Sequence, residues 1–167
     1  MPALQTEPER FAESLAGWGA GFIKPRFGAL GQGVSRVVLG MDIPRELPGV
    51  VPGRSEPTIL QQAVEPPEGW AGIALRVLVQ RTPSGWHRCP VVVRTSLTDP
   101  VANVARGASV GPGDSLLSTQ TRFQVEALCD RITEALDTIP QAQGAVEIGV
   151  DMVLDAAHRP HLIELNS

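Results

Sequence analysis

Of the 14 Lys and Arg residues in this chain, one alone is lysine, Lys24. It enters the stretch GFIKPRFGALGQGV, where Gly28, Gly31 and Gly33 follow at near-alternating positions. Glycines spaced in this way let backbone N–H groups close over an anion without side-chain clash, and a lysine ammonium is a compact point charge suited to a phosphate. The loop is neither a Walker A loop nor a Rossmann turn, because the element after it has strand character. A glycine-rich hairpin beside a surface lysine explains the same residues equally well. A second group stands at the far end, in VEIGVDMVLDAAHRPHLIELNS. Glu164 and Asn166 alternate on one strand and so share a face. If that strand forms a hairpin with the one carrying Asp151, three oxygen ligands converge, a donor set that suits Mg²⁺ or Mn²⁺ rather than zinc. The alternative is the polar face of an edge strand. A third group is Arg76, Arg94 and Arg106, with Asn103. A guanidinium fork can hold a carboxylate or a transferring phosphate, although a solvated strand face accounts for any single one of them. His87, His158 and His161 have no zinc-ligand spacing, and no serine lies in a GxSxG turn.

These residues need elements to position them. Thr6 to Glu9 reads as a capping box, with Phe11, Leu15 and Trp18 as the apolar face of the helix that follows. Residues 22–27 and 34–39 read as strands joined by the glycine loop, and the four prolines in residues 41–58 mark a connector. A strand follows at residues 59–64; residues 71–80 and 89–94 pair around the turn TPSGWHR. A helix capped by Thr119 or Thr121 buries Phe123, Leu128, Ile132 and Leu136 and stops at Pro140. Strands at 145–154 and 161–165 close the chain. This order gives an α+β fold with antiparallel sheets and helices to one side.

The succession FIKPRFGALGQGV, ILQQAV, LRVLV, VVVR, NVARGA, GVDMVL, LIELN resembles the ATP-grasp superfamily, nearest in style to its glutathione-synthetase and ribosomal-protein glutamate-ligase branch, over residues 20–167. The resemblance implies two small lobes around an ATP cleft: an N-terminal helix at 1–19, a glycine-flap lobe at 20–60 and a metal-binding lobe at 61–167, with the usual preceding substrate domain absent. It implies that Lys24 binds the ATP phosphates under a flap formed by Gly28, Gly31 and Gly33. Gln61, Gln62, Ala63 and Val64 would read the adenine edge through their backbone, and Glu65 or Glu68 would meet the ribose. Arg94 and Asn103, with Arg106 nearby, would face the γ-phosphate and an acyl-phosphate intermediate. Asp151, Glu164 and Asn166 would hold one or two Mg²⁺ (or Mn²⁺) ions. The implied reaction is ATP-dependent joining of a small carboxylate to an amine or thiol. The other expectation is a degenerate or truncated module that binds nucleotide or a partner without turnover.

Three features depart from the family pattern. The interval from Asp151 to Glu164 is one residue longer than in the nearest branch, which makes Asp155 a rival ligand. Ala74 stands where many relatives have an acidic residue. The chain is short at both ends, as a fragment, a truncated reading frame or a minimal variant would be. Composition sets the remaining bounds. With 43% hydrophobic and 19% charged residues the chain can bury a core. A net charge of −4 argues against general nucleic-acid binding. Two well-separated cysteines, Cys89 and Cys129, and the absence of a signal-like or membrane-spanning apolar run suggest a cytoplasmic protein without a membrane partner. A homodimer remains open.

Overall fold

The strands and helices gather into two units, residues 1–64 and 65–167. The computed structural model describes residues 1–26, 32–42 and 57–166. Gly28 and Gly31, and most of the proline-rich connector, lie outside the described residues.

In the first unit, β1 (Leu4–Gln5), β2 (Ala20–Pro25), β3 (Ser35–Val38) and β4 (Thr58–Gln62) form an antiparallel sheet in the order β1-β4-β2-β3. Ile23, Val37 and Leu60 project from one face onto Phe11 and Leu15 of α1 (Phe11–Trp18), and together they form its core. Gly21 makes that approach possible: a Cβ there would lie 2.9 Å from Leu60 Cδ1 and 3.0 Å from the Gln61 carbonyl oxygen. The expected capping box does not form. A short 3₁₀ turn, Pro8–Arg10, leads into α1, and the Gln5 side-chain oxygen accepts from the N–H groups of Thr6 and Glu7 at 2.9 and 3.0 Å. Pairing of β1 with β4 fixes Gln5 in that position, where its amide serves the two N–H groups that precede the turn, and no side chain caps the turn or α1.

The second unit holds β5 (Gly72–Thr82), β6 (Gly85–Arg88), β7 (Val92–Ser96), β8 (Ser109–Pro112), the single turn α2 (Gly113–Leu116), α3 (Thr119–Thr138), β9 (Glu147–Leu154) and β10 (Pro160–Asn166). Its antiparallel sheet runs β10-β9-β5-β7-β8, with β6 also paired to β5. Leu75, Val77 and Val79 lie opposite Met152, Val150 and Ile148 in register, and α3 covers this apolar face with Val125, Cys129, Ile132 and Leu136. Residues of opposite parity on the same strands, Arg76 and Asp151 among them, therefore point to the other face.

Three sequence expectations change here. Ser118, rather than Thr119 or Thr121, caps α3, its hydroxyl accepting from the Thr121 N–H at 3.1 Å. Phe123 is 66% exposed, because the buried stripe runs through Thr121, Val125, Cys129, Ile132 and Leu136 instead. His87 lies in a strand rather than a turn. The hairpin partner of β5 is β6, with Thr82 opposite Gly85, and β7 pairs further back along β5.

Candidate active site

β9 and β10 form a hairpin, and its register decides which side chains meet. Leu162 pairs with Met152, whereas Glu164 pairs with Asp151, so Ile163 is an extra residue in β10. A bulge of this kind re-phases the strand. Before it, Leu162 packs against the α3-side core. After it, Glu164 and Asn166 join Asp151 on the opposite face. Asn166 Nδ2 donates to Asp151 Oδ2 at 2.6 Å and to Glu164 Oε1 at 3.1 Å. The structure thus gathers all three expected metal ligands.

It also gathers two arginines there. Arg76 lies opposite Asp151 across the β5–β9 ladder. Its Nε donates to Asp151 Oδ1 at 2.9 Å and its Nη2 to Oδ2, forming a two-pronged ion pair. Arg94, reaching over from β7, donates from Nη2 to Oδ1 at 2.8 Å. Asp151 is only 6% exposed. Each of its oxygens therefore accepts two hydrogen bonds, about the full capacity of a carboxylate. The bond from Asp151 holds the Arg76 guanidinium above its ordinary pKa; burial opposes this, and the Asp151 and Glu164 charges reinforce it. Arg76 was legible as a strand arginine, but its partner lies 75 residues away, and only the adjacency of β5 and β9 brings them together.

Asp155, the rival ligand, is committed to the β9–β10 turn. Its Oδ1 accepts from the N–H groups of Ala157 and Arg159, both at 2.9 Å. Its Oδ2 pairs with Arg159 Nε at 2.8 Å and His161 Nε2 at 3.0 Å. Burial works against ionising it, but the bonds from His161, Arg159 and Ala157 outweigh that and hold its carboxyl well below the ordinary range.

Asn103 and Arg106 occupy the loop between β7 and β8. The Asn103 Oδ1 accepts from the Ala105 N–H at 2.8 Å and caps the 3₁₀ turn Val104–Arg106. Arg106 Nε pairs with Asp99 Oδ2 at 2.7 Å. This loop seats against Gly72, where a Cβ would meet the Asp99 and Pro100 carbonyl oxygens at 2.8 and 2.7 Å. Among the described residues, no cluster of three or more His, Cys, Asp or Glu side chains is arranged to hold a metal; the Asp151, Glu164 and Asn166 group has two carboxylates and one carboxamide.

In the first unit, Lys24 is half-buried on β2 opposite Ile59, and Gly33 has a φ of 68°, the left-handed region that glycine takes without strain. Gln61 and Gln62 pair with Phe22 and Gly21, which makes them part of this unit's sheet rather than the start of the second unit. The N–H groups of Gln62 and Ala63 donate to the carbonyls of Ala3 and Ala20 at 2.8 and 3.0 Å. Glu65 and Glu68 are exposed just beyond. No helix among the described residues is long and apolar enough to cross a membrane.

No curated protein matches the sequence. Solved structures do match in fold. D-alanyl-alanine synthetase A from Vibrio cholerae aligns with a TM-score of 0.62 at 13% identity, covering 99% of this chain and 50% of that one. A carboxyaminoimidazole ribonucleotide synthase from Aspergillus clavatus, complexed with ATP, gives 0.61 at 18%, covering 99% and 40%. An L-amino acid ligase from Bacillus licheniformis gives 0.54 at 17%, covering 99% and 36%. The chain thus spans half or less of the length of each of these structures. The YheC/D-like ATP-grasp family matches residues 49–167. With that match over more than half of its length, and a fold shared with these structures, the chain belongs to the YheC/D-like ATP-grasp family.

Proposed function

We propose that this chain carries the nucleotide- and metal-binding core of an ATP-dependent ligase that joins a small carboxylate to an amine or thiol through an acyl phosphate. The observation that carries the reading is the Ile163 bulge, which turns Glu164 and Asn166 onto the face of Asp151. An edge strand with a merely solvated polar face has no need of such a re-phasing.

The donor set fits a hard divalent cation: two carboxylates and one carboxamide oxygen, from paired strands on one sheet face. Asp151, Glu164 and Asn166 would hold Mg²⁺ or Mn²⁺, and the bound ion would offset charge on the transferring phosphoryl group. The chain's own residues do the rest by positioning and charge. Lys24 is assigned to the phosphates as a point charge, with Gly28, Gly31 and Gly33 as the backbone cover. Arg94, 17% exposed in its side chain and with its Nε buried, is held on the same sheet face as the carboxylates and is assigned to the transferring phosphoryl group. Asn103 and Arg106 are assigned to the acyl-phosphate side. Gln61, Gln62, Ala63 and Val64 are assigned to the adenine edge. Because the Gln62 and Ala63 N–H groups serve the sheet, that contact would fall to carbonyls or to the Val64 end of the segment. Glu65 or Glu68 would take the ribose. This reading goes with a cytoplasmic location, with no nucleic-acid or membrane partner, and it leaves room for a homodimer.

The test is to incubate the protein with Mg²⁺-ATP and pools of amino acids and dipeptides and to follow ADP release. Substrate-dependent release in the wild type, lost in Glu164→Gln, is the expected result. Release that survives Glu164→Gln overturns the metal assignment, and nucleotide binding without release marks a nucleotide-binding module.

A further inference from the structure

Asp151 is assigned a metal by the reading above, yet its lone pairs are already taken. Arg76 occupies both oxygens, Arg94 shares Oδ1 and Asn166 shares Oδ2. Formal charge says the same thing. Arg76 and Arg94 against Asp151 and Glu164 sum to zero, so no net negative field draws in a lone cation. Something must leave Asp151 before a metal can bind it.

The two arginines differ in how easily they can leave. Arg94 has a side chain 17% exposed, whereas that of Arg76 is 45% exposed. The guanidinium of Arg76 reaches across from β5 and lies over Gly149 of β9. A Cβ on Gly149 would come 3.7 Å from Arg76 Nε and 3.9 Å from its Cζ, so any side chain longer than alanine would crowd it. Gly149 stands opposite Asn166, which puts the guanidinium on the ligand face itself.

We infer that Arg76 is a resident counter-cation of Asp151, a positioning residue that keeps the metal site closed and neutral until a metal ion displaces it. The inference rests on the metal assignment of the proposed function. It gives Arg76 a role distinct from phosphate binding: it raises the threshold for metal alone, and a metal that brings its own polyphosphate anion crosses that threshold more readily. A guanidinium displaced in this way would be released onto the same face, where a bound nucleotide carries negative charge.

The test is titration of the protein with Mn²⁺, free ion followed by electron paramagnetic resonance, with and without a non-hydrolysable ATP analogue. Wild type should bind Mn²⁺ weakly alone and at least tenfold more tightly with the analogue. Arg76→Gln, folded by circular dichroism, should bind Mn²⁺ alone about tenfold more tightly than wild type. Arg94→Gln should gain less, since Arg76 still grips both carboxylate oxygens. Arg76→Lys, which keeps the charge but loses the fork, should fall between wild type and Arg76→Gln, and it serves if the glutamine variant does not fold. Mn²⁺ binding to Arg76→Gln no tighter than to wild type overturns the inference while leaving the metal site in place. Absence of Mn²⁺ binding in every protein, with or without analogue, overturns both.

Discussion

Replacing Asp151 by Asn removes one negative charge and almost no volume, so it isolates what the carboxylate does for the second unit. Asp151 is 6% exposed, and it compensates Arg94, whose side chain is 17% exposed. Breaking a buried pair by removing one partner costs about 3–5 kcal/mol. The pair with Arg76 is 45% exposed on the arginine side and, being two-pronged, adds roughly 1 kcal/mol after solvent screening. The Asn oxygen retains one neutral acceptor, which returns about 1 kcal/mol. The net expectation is a loss of about 3–5 kcal/mol, or roughly 15–25 °C in melting temperature for a unit of about 100 residues. Urea unfolding followed by circular dichroism measures it, with Arg94→Gln, Arg76→Gln and the corresponding double variants completing two cycles. The coupling of Asp151 to Arg94 should exceed its coupling to Arg76 severalfold. A loss below about 0.5 kcal/mol for Asp151→Asn, or equal couplings, would refute the claim that burial makes the Arg94 pair the strong one.

Acid should reveal Asp155: its folded pKa lies below the ordinary 3.8, so its contribution to stability is present above that pH and fades as pH falls below it. Asp155→Asn should flatten the acid limb of a stability–pH curve, and identical curves would count against the turn network. Ser118→Ala should cost about 1 kcal/mol as the loss of an N-cap, measured by urea midpoint, whereas Thr119→Ala should be nearly neutral; the reverse order would return the cap to Thr119. Gly72→Ala should destabilise the unit by about 1–3 kcal/mol as overpacking, because its Cβ would press on two backbone carbonyls. A neutral result would mean the loop from Asp99 onward yields freely.

Much of this arrangement could be read along the chain. Alternation put Glu164 and Asn166 on one face, and the spacing of apolar residues located β2, β5, β9 and α3. What could not be read depended on contacts distant in sequence. Alternation alone would have placed Leu162 with Glu164, yet Leu162 packs against the core, and only the Ile163 bulge separates them; no glycine marks it. Phe123 looked like a buried anchor by type, but helical phase is set by what β5 and β9 present to α3, and that selects Thr121 and Cys129 instead. The bonds of Arg76 and Arg94 to Asp151 follow from the strand order β9-β5-β7, which no local pattern encodes. Asp155 illustrates the converse. A short acidic side chain ahead of Ala156, Ala157 and His158 is well placed to bind turn N–H groups, and the turn claims it before any metal can.

Calorimetric titration of ATP into the wild-type protein, with and without Mg²⁺, bears most directly on the central claim. The expected result is saturable binding that requires Mg²⁺ and weakens at least tenfold both in Lys24→Ala and in Glu164→Gln. Affinity unchanged by removing Mg²⁺, or by either substitution, would contradict it.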